Sequence, residues 1–571
     1  MQPSAALSPQ QDAAKGDHRT LFRLSQQITY DNYGLAVLDA VLPYSQYDKL
    51  PRAPNASIII DCERGSGALA CVASSLLCCS RSPSLREGTI MKVMANFDNI
   101  LTWMNLTLAR LSALDDASIF PQSYLLNVAS ILYRLSTMDT RTTTMVMASR
   151  EAVKIFLRAW TLRSKNTRKV HSTLGSDEGC MVTNLLRVYT SDEKWLSIFV
   201  DVAMASPKHV KAFCDALICR VDQLSTFIDK VCKAELVGDE WMKLLFILHR
   251  LQQIREIHRQ LRISNYLSRL MTTLVSLQQH FPPKTILRFF FTIFSLSADP
   301  QAVEELVDGG LVTVAANTLM KVDLAVVGQD ERQHAQNLIQ ALAAYTFHPR
   351  TLAALRHTVG ELPRYVEEGL NHREYIGSRW DELVYCIGPQ SNHLNGLEEE
   401  GLSICDNDSH DEMWIGPYMV GGGVKACSGC HLVAYCSPEC QKTDWKERHK
   451  PECPIVRHSY HERSATNTKY RHATRAFHLR VIEGVCNPQY RLLTESQPGQ
   501  RGWEFLMMIN ACWDQPTENA ITLCPAPIPR WIVEQKKVGD CPAMDGRAKR
   551  LVDEYVKSKA PKTRLVEFVT R

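Results

Sequence analysis

The sequence predicts a mainly α protein. An α-solenoid-like helical domain takes up most of the chain, followed by a small cysteine- and histidine-rich finger and a small mixed α/β C-terminal region. Three observations carry that prediction. Apolar residues recur at helical spacing from about residue 21 to 390, with almost no period-2 alternation. One stretch of this region repeats itself 49 residues later. Six of the nineteen cysteines crowd between residues 405 and 453.

At 571 residues the chain is too long for a single hydrophobic core. Hydrophobic residues make up 45% and charged residues 22%, an ordinary composition for a globular protein. A net charge of +4 argues against a surface built to coat nucleic acid or adsorb to membrane. Residues 1–20 are polar, lack the charged-then-apolar pattern of an export signal, and read as a disordered lead. Ser57–Ser80 is broken by Asp61, Glu63 and Arg64, and Ile286–Ala298 is short and carries Arg288. Neither supplies the roughly 20 apolar residues a membrane span needs. The expectation is a soluble intracellular protein, of nucleus or cytoplasm, in whose reducing environment clustered cysteines point to metal rather than disulfides. Cys71, Cys78, Cys79, Cys214 and Cys219 lie in apolar runs and read as small core residues.

Residues 21–395 form the expected helical domain. Tyr124–Ser136, Ala152–Leu162, Trp241–Ile257 and Ile286–Ser297 carry the clearest helical periodicity. The repeat aligns Asp299-Pro300-Gln301-Ala302-Val303-Glu304-Glu305-Leu306 with His348-Pro349-Arg350-Thr351-Leu352-Ala353-Ala354-Leu355. The first copy runs on through Gly309-Gly310 into a second apolar helix, which resembles the armadillo unit with its period of about 40–47 residues. Residues 396–404 read as an acidic linker around Glu398-Glu399-Glu400, and Gly421-Gly422-Gly423 as a hinge within the finger.

The finger spans 405–453, in the order Cys405-x4-His410, a 16-residue gap, then Cys427-x2-Cys430-x5-Cys436-x3-Cys440-x8-His449-x3-Cys453. Zinc takes thiolate and imidazole ligands in a tetrahedron, so eight candidates suffice for two closed sites. The i, i+4 spacing puts Cys436 with Cys440, and His449 with Cys453, on common helix faces. Ser437 and Pro438 suit the N-cap and first turn of a helix beginning after Cys436. The segment 427–453, with its Tyr-Cys-Ser-Pro-Glu-Cys-Gln, Trp445 and His-x3-Cys, closely resembles the MYND family.

That resemblance implies a cross-braced finger. One zinc would take Cys405, His410, Cys436 and Cys440, the other Cys427, Cys430, His449 and Cys453. The family usually opens with a cysteine pair where this chain has Cys405 and His410. Asp406, Asp408 or Asp411 could stand in for His410. Both Zn2+ ions would be structural, since four protein ligands leave no position for a catalytic water. The resemblance further implies a protein-interaction adaptor that binds proline-containing peptides or a protein partner, with contacts at Ser428, Gln441 and Trp445.

Beyond the finger, 454–485 is basic and His-rich (Arg457, His458, His461, Arg463, Arg471, His472, Arg475, His478), helical over 473–485. A transcription-associated regulator contacting nucleic acid through Lys442, Lys446, Arg448, Lys450 and this stretch is the alternative reading. Acidic residues, Asp444 among them, interrupt the basic ones, so a solvated helix face is expected instead. Residues 486–571 read as a mixed region with a helix at Glu504–Cys512 and extended pieces at Ile521–Cys524 and Trp531–Val533.

No enzyme motif is present. Some MYND proteins carry a SET methyltransferase domain with an Asn-His-x-Cys element, but Asn371-His372 and Asn392-His393 are not followed by that cysteine. Gly65-Ser66-Gly67-Ala68-Leu69-Ala70 resembles a dinucleotide fingerprint without the alternating strands and helices one requires.

Overall fold

The computed structural model describes residues 18–46, 57–111, 120–164, 166–171, 179–228, 233–296, 300–323, 327–400, 404–407, 425–466, 471–481, 484, 505–510, 521–525 and 566–569. They fall into two compact units, Met1–Phe281 and Pro282–Arg571. Among them no helix is long and apolar enough to cross a membrane.

Among the described residues the first unit is built of helices: α1 (His18–Gln27), α2 (Ala36–Val41), α3 (Ser57–Cys78), α4 (Pro83–Ala95), α5 (Phe97–Leu111), α6 (Phe120–Met138), α7 (Thr140–Ala148), α8 (Arg150–Thr161), α9 (Met181–Ser191), α10 (Glu193–Ala203), α11 (Pro207–Ile228), α12 (Ala234–Leu251), α13 (Arg255–Ile263) and α14 (Tyr266–Leu277). Local chemistry sets many of the starts. Ser82, Ser149 and Asp192 accept hydrogen bonds from the first-turn amides of α4, α8 and α10, and Asp139 closes a capping box with Thr142 at the head of α7.

Helices pack against those three places further along the chain. In the first unit α3, α6, α9 and α12 form one such row, and α5, α8, α11 and α14 a second. This is the register in which a solenoid of three-helix repeats buries its successive apolar faces. Hydrogen bonds between successive layers record the period. Arg141 reaches Glu87 across 54 residues, and Gln223 reaches the Val170 carbonyl across 53. Trp160 donates to the Phe213 carbonyl, also across 53, and stacks on that residue's ring at 5.7 Å. These partners stand a few residues farther apart than the 40–47 of the armadillo unit. Buried Arg220 lies over the Trp160 ring at 4.4 Å and donates to the Trp160 carbonyl at 3.2 Å.

The Gly65–Ala70 run lies within α3. A Cβ on Gly65 would meet the Trp103 ring at 2.1 Å, so its missing side chain serves close helix packing rather than a phosphate.

The second unit continues with α15 (Pro283–Ser295), α16 (Pro300–Asp308), α17 (Leu311–Lys321), α18 (Gln329–Ala344), α19 (Pro349–Gly360), α20 (Arg364–Asn371) and α21 (Gly377–Glu400). The same register holds: α15 with α18, α18 with α21, α16 with α19, and α17 with α20. The two sequence copies are thus α16 and α19, packed on each other. Arg350 pairs with Glu304 at 2.8 Å, and Thr351 Oγ1 donates to the Pro300 carbonyl at 3.0 Å.

The finger follows, with β1 (Lys425–Ala426), β2 (Ala434–Tyr435), α22 (Pro438–Asp444), a π-helical turn Trp445–His449 and α23 (Lys450–Thr466). A further helix, α24, covers 472–481. Its buried face carries Ala476, Phe477, His478 and Val481. His478 Nε2 lies 2.7 Å from the Phe347 carbonyl, and its ring lies 6.0 Å from that of His348. Last come β3 (Phe505–Asn510), β4 (Ile521–Pro525) and β5 (Val566–Val569), a sheet of order β4-β3-β5. β3 is antiparallel to β4 (Phe505↔Pro525, Ile509↔Ile521) and parallel to β5 (Met507↔Val566).

Four readings change. The helix expected at Glu504–Cys512 is the central strand β3. A short apolar run has no decisive period, and neighbours on both edges settle its state. Glu398–Glu400, read as linker, close α21, since glutamate extends a helix readily. The lead expected over 1–20 gives way to α1 at His18. Trp241–Ile257 divides between α12 and α13. Residues 1–17, Gly421–Gly423 and Trp531–Val533 lie outside the described residues.

Burial holds the His348 imidazole down to about 4, helped by His478, and burial holds His478 at about 4 against the opposing pull of the Phe347 carbonyl. An unfolded histidine titrates near 6.5. Both folded values are depressed, so their contribution to stability is complete above about 6.5 and is lost as pH falls towards about 4. Hydrogen-exchange protection of 472–481 should weaken across that window, and His478→Gln should flatten the dependence. A slope unchanged by the variant would assign the loss to other groups.

Candidate metal centre

Among the described residues, one Cys/His cluster is built on the β1–β2 ribbon and α23. Lys425 pairs with Tyr435 and Ala426 with Ala434, so the chain between the strands forms a tight knuckle. The Cys427 amide donates to the Val433 carbonyl at 2.9 Å, and the His431 amide to the Cys427 carbonyl at 2.8 Å. His431 takes the left-handed conformation, with φ of 55°, to close the turn. Cys427 and Cys430 thereby face His449 and Cys453, and all four are buried with ligand atoms within 4.8 Å of one another. The Cys427 and Cys453 sulfurs are 3.8 Å apart, and Cys430 Sγ is 3.4 Å from His449 Nε2. With Zn–S near 2.3 Å and Zn–N near 2.0 Å, a tetrahedron has edges of about 3.4–3.8 Å. The donor set and its spacing fit zinc.

Another gathers Cys405, Cys436 and Cys440, half-buried and also within 4.8 Å of one another. Cys436 and Cys440 lie 3.5 Å apart across the first turn of α22. That turn is built as the sequence predicts: the Ser437 hydroxyl accepts from the Cys440 amide at 3.1 Å, with Pro438 next. Three thiolates could hold a metal with one further ligand. His410, Asp408 and Asp411 lie outside the described residues. Asp406 is committed elsewhere. Its carboxylate accepts from the Ala434 amide at 2.7 Å and receives both Nη atoms of Arg475.

Without a metal, the electrostatics oppose thiolates at Cys430, Cys436 and Cys453 and favour one at Cys427. Burial opposes charge on the Cys427 thiol, but the Cys430 and Gly429 amides that donate to its sulfur bring it below its ordinary range. Burial pushes Cys436 and Cys453 up to about 12, aided by the hydrogen bonds among the crowded thiols. Both are protonated at neutral pH, so a metal ion must displace their protons, and binding strengthens as pH rises. His449 Nδ1 lies 3.8 Å from a Glu452 carboxylate oxygen.

Sequence reasoning missed several members of the site. Asp444, taken as a surface charge, is fully buried and receives the Tyr435 hydroxyl at 2.6 Å. Arg475 and His478, read in the basic stretch, are respectively paired with Asp406 and buried against Phe347. His458 and His461 are exposed, as the sequence implies. Of the predicted peptide contacts, Ser428 is exposed, Gln441 is half-buried and Trp445 is 41% exposed, its ring edge-on to His449 at 5.6 Å.

Comparison with known proteins agrees with this geometry. Residues 418–453 match the family model of the MYND finger. The module is a MYND-type zinc finger, a zinc-binding, non-catalytic protein-interaction domain. SET domain-containing protein 14 of Caenorhabditis elegans is 53% identical over 34 residues, which cover 6% of this chain and 8% of that protein. The likeness lies over the finger. The Asn-His pairs weighed as SET elements lie at the end of α20 (Asn371-His372) and inside α21 (Asn392-His393).

A Cβ on Gly429 would stand 2.8 Å from Cys453 Sγ, so the knuckle closes only around glycine. Gly429→Ala should weaken zinc binding by about 10–100-fold, the range for disturbing groups that orient ligands. Competition with a chromogenic chelator measures it, and wild-type affinity would mean the knuckle has room to spare.

Proposed function

We propose that this chain is a non-enzymatic adaptor whose finger holds two structural zinc ions and presents a docking platform for proline-containing peptides or a protein partner. One zinc takes Cys405, His410, Cys436 and Cys440; the other takes Cys427, Cys430, His449 and Cys453. Zinc at closed sites stands in for a core the finger is too small to build, contributing roughly 10–16 kcal/mol to its folding.

The observation that carries the platform is Trp445. In a module with few apolar residues to spare, this large side chain remains 41% exposed while His449, four residues on, is 1% exposed. A π-helical turn, which adds residues to each turn, lies between their two orientations. The indole presents an apolar face and Gln441, four residues earlier, an amide able to pair with an extended backbone. Ser428, on the knuckle, completes the reading. The stacked helices support the adaptor role, since solenoid-like arrays offer long surfaces to partners.

Two measurements test this. Purified full-length chain should carry two zincs, falling towards one in His410→Ala; one zinc in the wild type would remove the first site from the reading. Trp445→Ala should abolish capture of an immobilised proline-containing peptide while zinc content stays at the wild-type level. Unchanged capture would sink the platform.

A further inference from the structure

The first zinc site depends on a residue far outside the finger's own stretch. Cys405 stands ahead of the family match at 418–453. Among the described residues it is carried by the short segment 404–407, in which Ile404 and Asn407 are buried. Asp406 fixes that segment to β2 twice. Its amide donates to the Ala434 carbonyl at 2.8 Å, and its carboxylate accepts from the Ala434 amide at 2.7 Å. This pairing sets Cys405 beside Cys436, two residues beyond Ala434.

The Asp406 carboxylate is held in turn by α24. Arg475 donates to both its oxygens, Nη1 to Oδ2 at 2.9 Å and Nη2 to Oδ1. The two side chains are only 26% and 13% exposed, so this forked pair is charge-assisted and largely shielded from water. The next residues of the same helix, Phe477 and His478, are 0% and 2% exposed, and His478 lies 2.7 Å from the Phe347 carbonyl between α18 and α19. At the start of α24, His472 Nε2 lies 3.1 Å from the carbonyl of His431 in the Cys427–Cys430 knuckle. One helix therefore touches the finger along one side and the helical stack along another.

We propose that Arg475 is a positioning residue for the first zinc site. It holds Asp406, and through it Cys405, in place, so that the affinity of that site is set from α24. By reciprocity, zinc at the first site holds α24 on the turn at 345–348. The finger's metal content and its seating on the helical stack are then one equilibrium. This inference rests on the two-zinc reading above.

The test follows zinc release from the full-length chain into excess chelator, with the initial zinc content measured in parallel. Wild type should release two zincs in two phases. Arg475→Ala should speed one phase by about 10–100-fold and leave the other unchanged. Arg475→Lys, which keeps the charge but not the fork, should fall between. Once the faster zinc has left the wild type, hydrogen exchange over 472–481 should accelerate. Two zincs with wild-type kinetics in Arg475→Ala overturn the inference alone, as does equal acceleration of both phases, which reports general loosening. One zinc in the wild type overturns the two-zinc reading and this inference with it.

Discussion

Everything in the finger depends on the sulfur–metal bond, because little else is available to hold it. Its buried cluster is Cys427, Cys430, Val433, Tyr435, Cys453 and Val456. Half of these side chains are thiols, and burial, aided by crowding, holds Cys430 and Cys453 against ionisation without a metal. Apolar burial by the other three is worth only a few kcal/mol, well below what ordering some forty residues costs. A divalent ion changes the sign of the problem. Thiols that hinder one another become ligands of a shared centre, and the strand register, the left-handed His431 and the glycine at 429 are the local means of bringing them to tetrahedral spacing.

The Tyr435–Asp444 hydrogen bond belongs to the same economy of space. Both groups are fully buried, and a carboxylate is costly there unless a donor meets it. The bond ties β2 to the end of α22, where the π-helical turn begins. From that turn His449 points inward to Cys430 and Trp445 points outward. An unbroken α-helix would bring residues four apart towards one face.

What the sequence made legible follows from what kind of constraint each feature carries. Ligand spacing is chemistry written along the chain, so Cys427 to Cys453 could be read directly. The Ser437 cap and the α16/α19 repeat are likewise local or self-similar. The three-apart stacking was mostly invisible because each repeat keeps only its apolar face, and faces can be filled by many residues. It emerges instead from where side chains reach, as Arg141 does to Glu87 and Gln223 to Val170. Charges were the least legible. On a helix Asp444 and Arg475 look like solvated residues, and only their partners, nine and sixty-nine positions away in sequence, reveal otherwise. β3 was misread for a related reason, since its state is fixed by strands at 521–525 and 566–569 rather than by its own pattern.

The family match ends at Cys453, but the physical module does not. Its first cluster needs Cys405, which precedes the match, and the segment bearing Cys405 is fastened by Arg475, which follows it. That arrangement separates two things a finger can be. A portable finger would carry its ligands and their supports within one continuous stretch, and would behave alike in any protein. Here the support of one cluster is borrowed from a helix whose other side is buried against the stack. The likeness to 34 residues of a SET domain-containing protein therefore describes the finger, not the setting that holds it. If Arg475 couples finger and stack as proposed, a partner engaging one of them meets the mechanical state of the other.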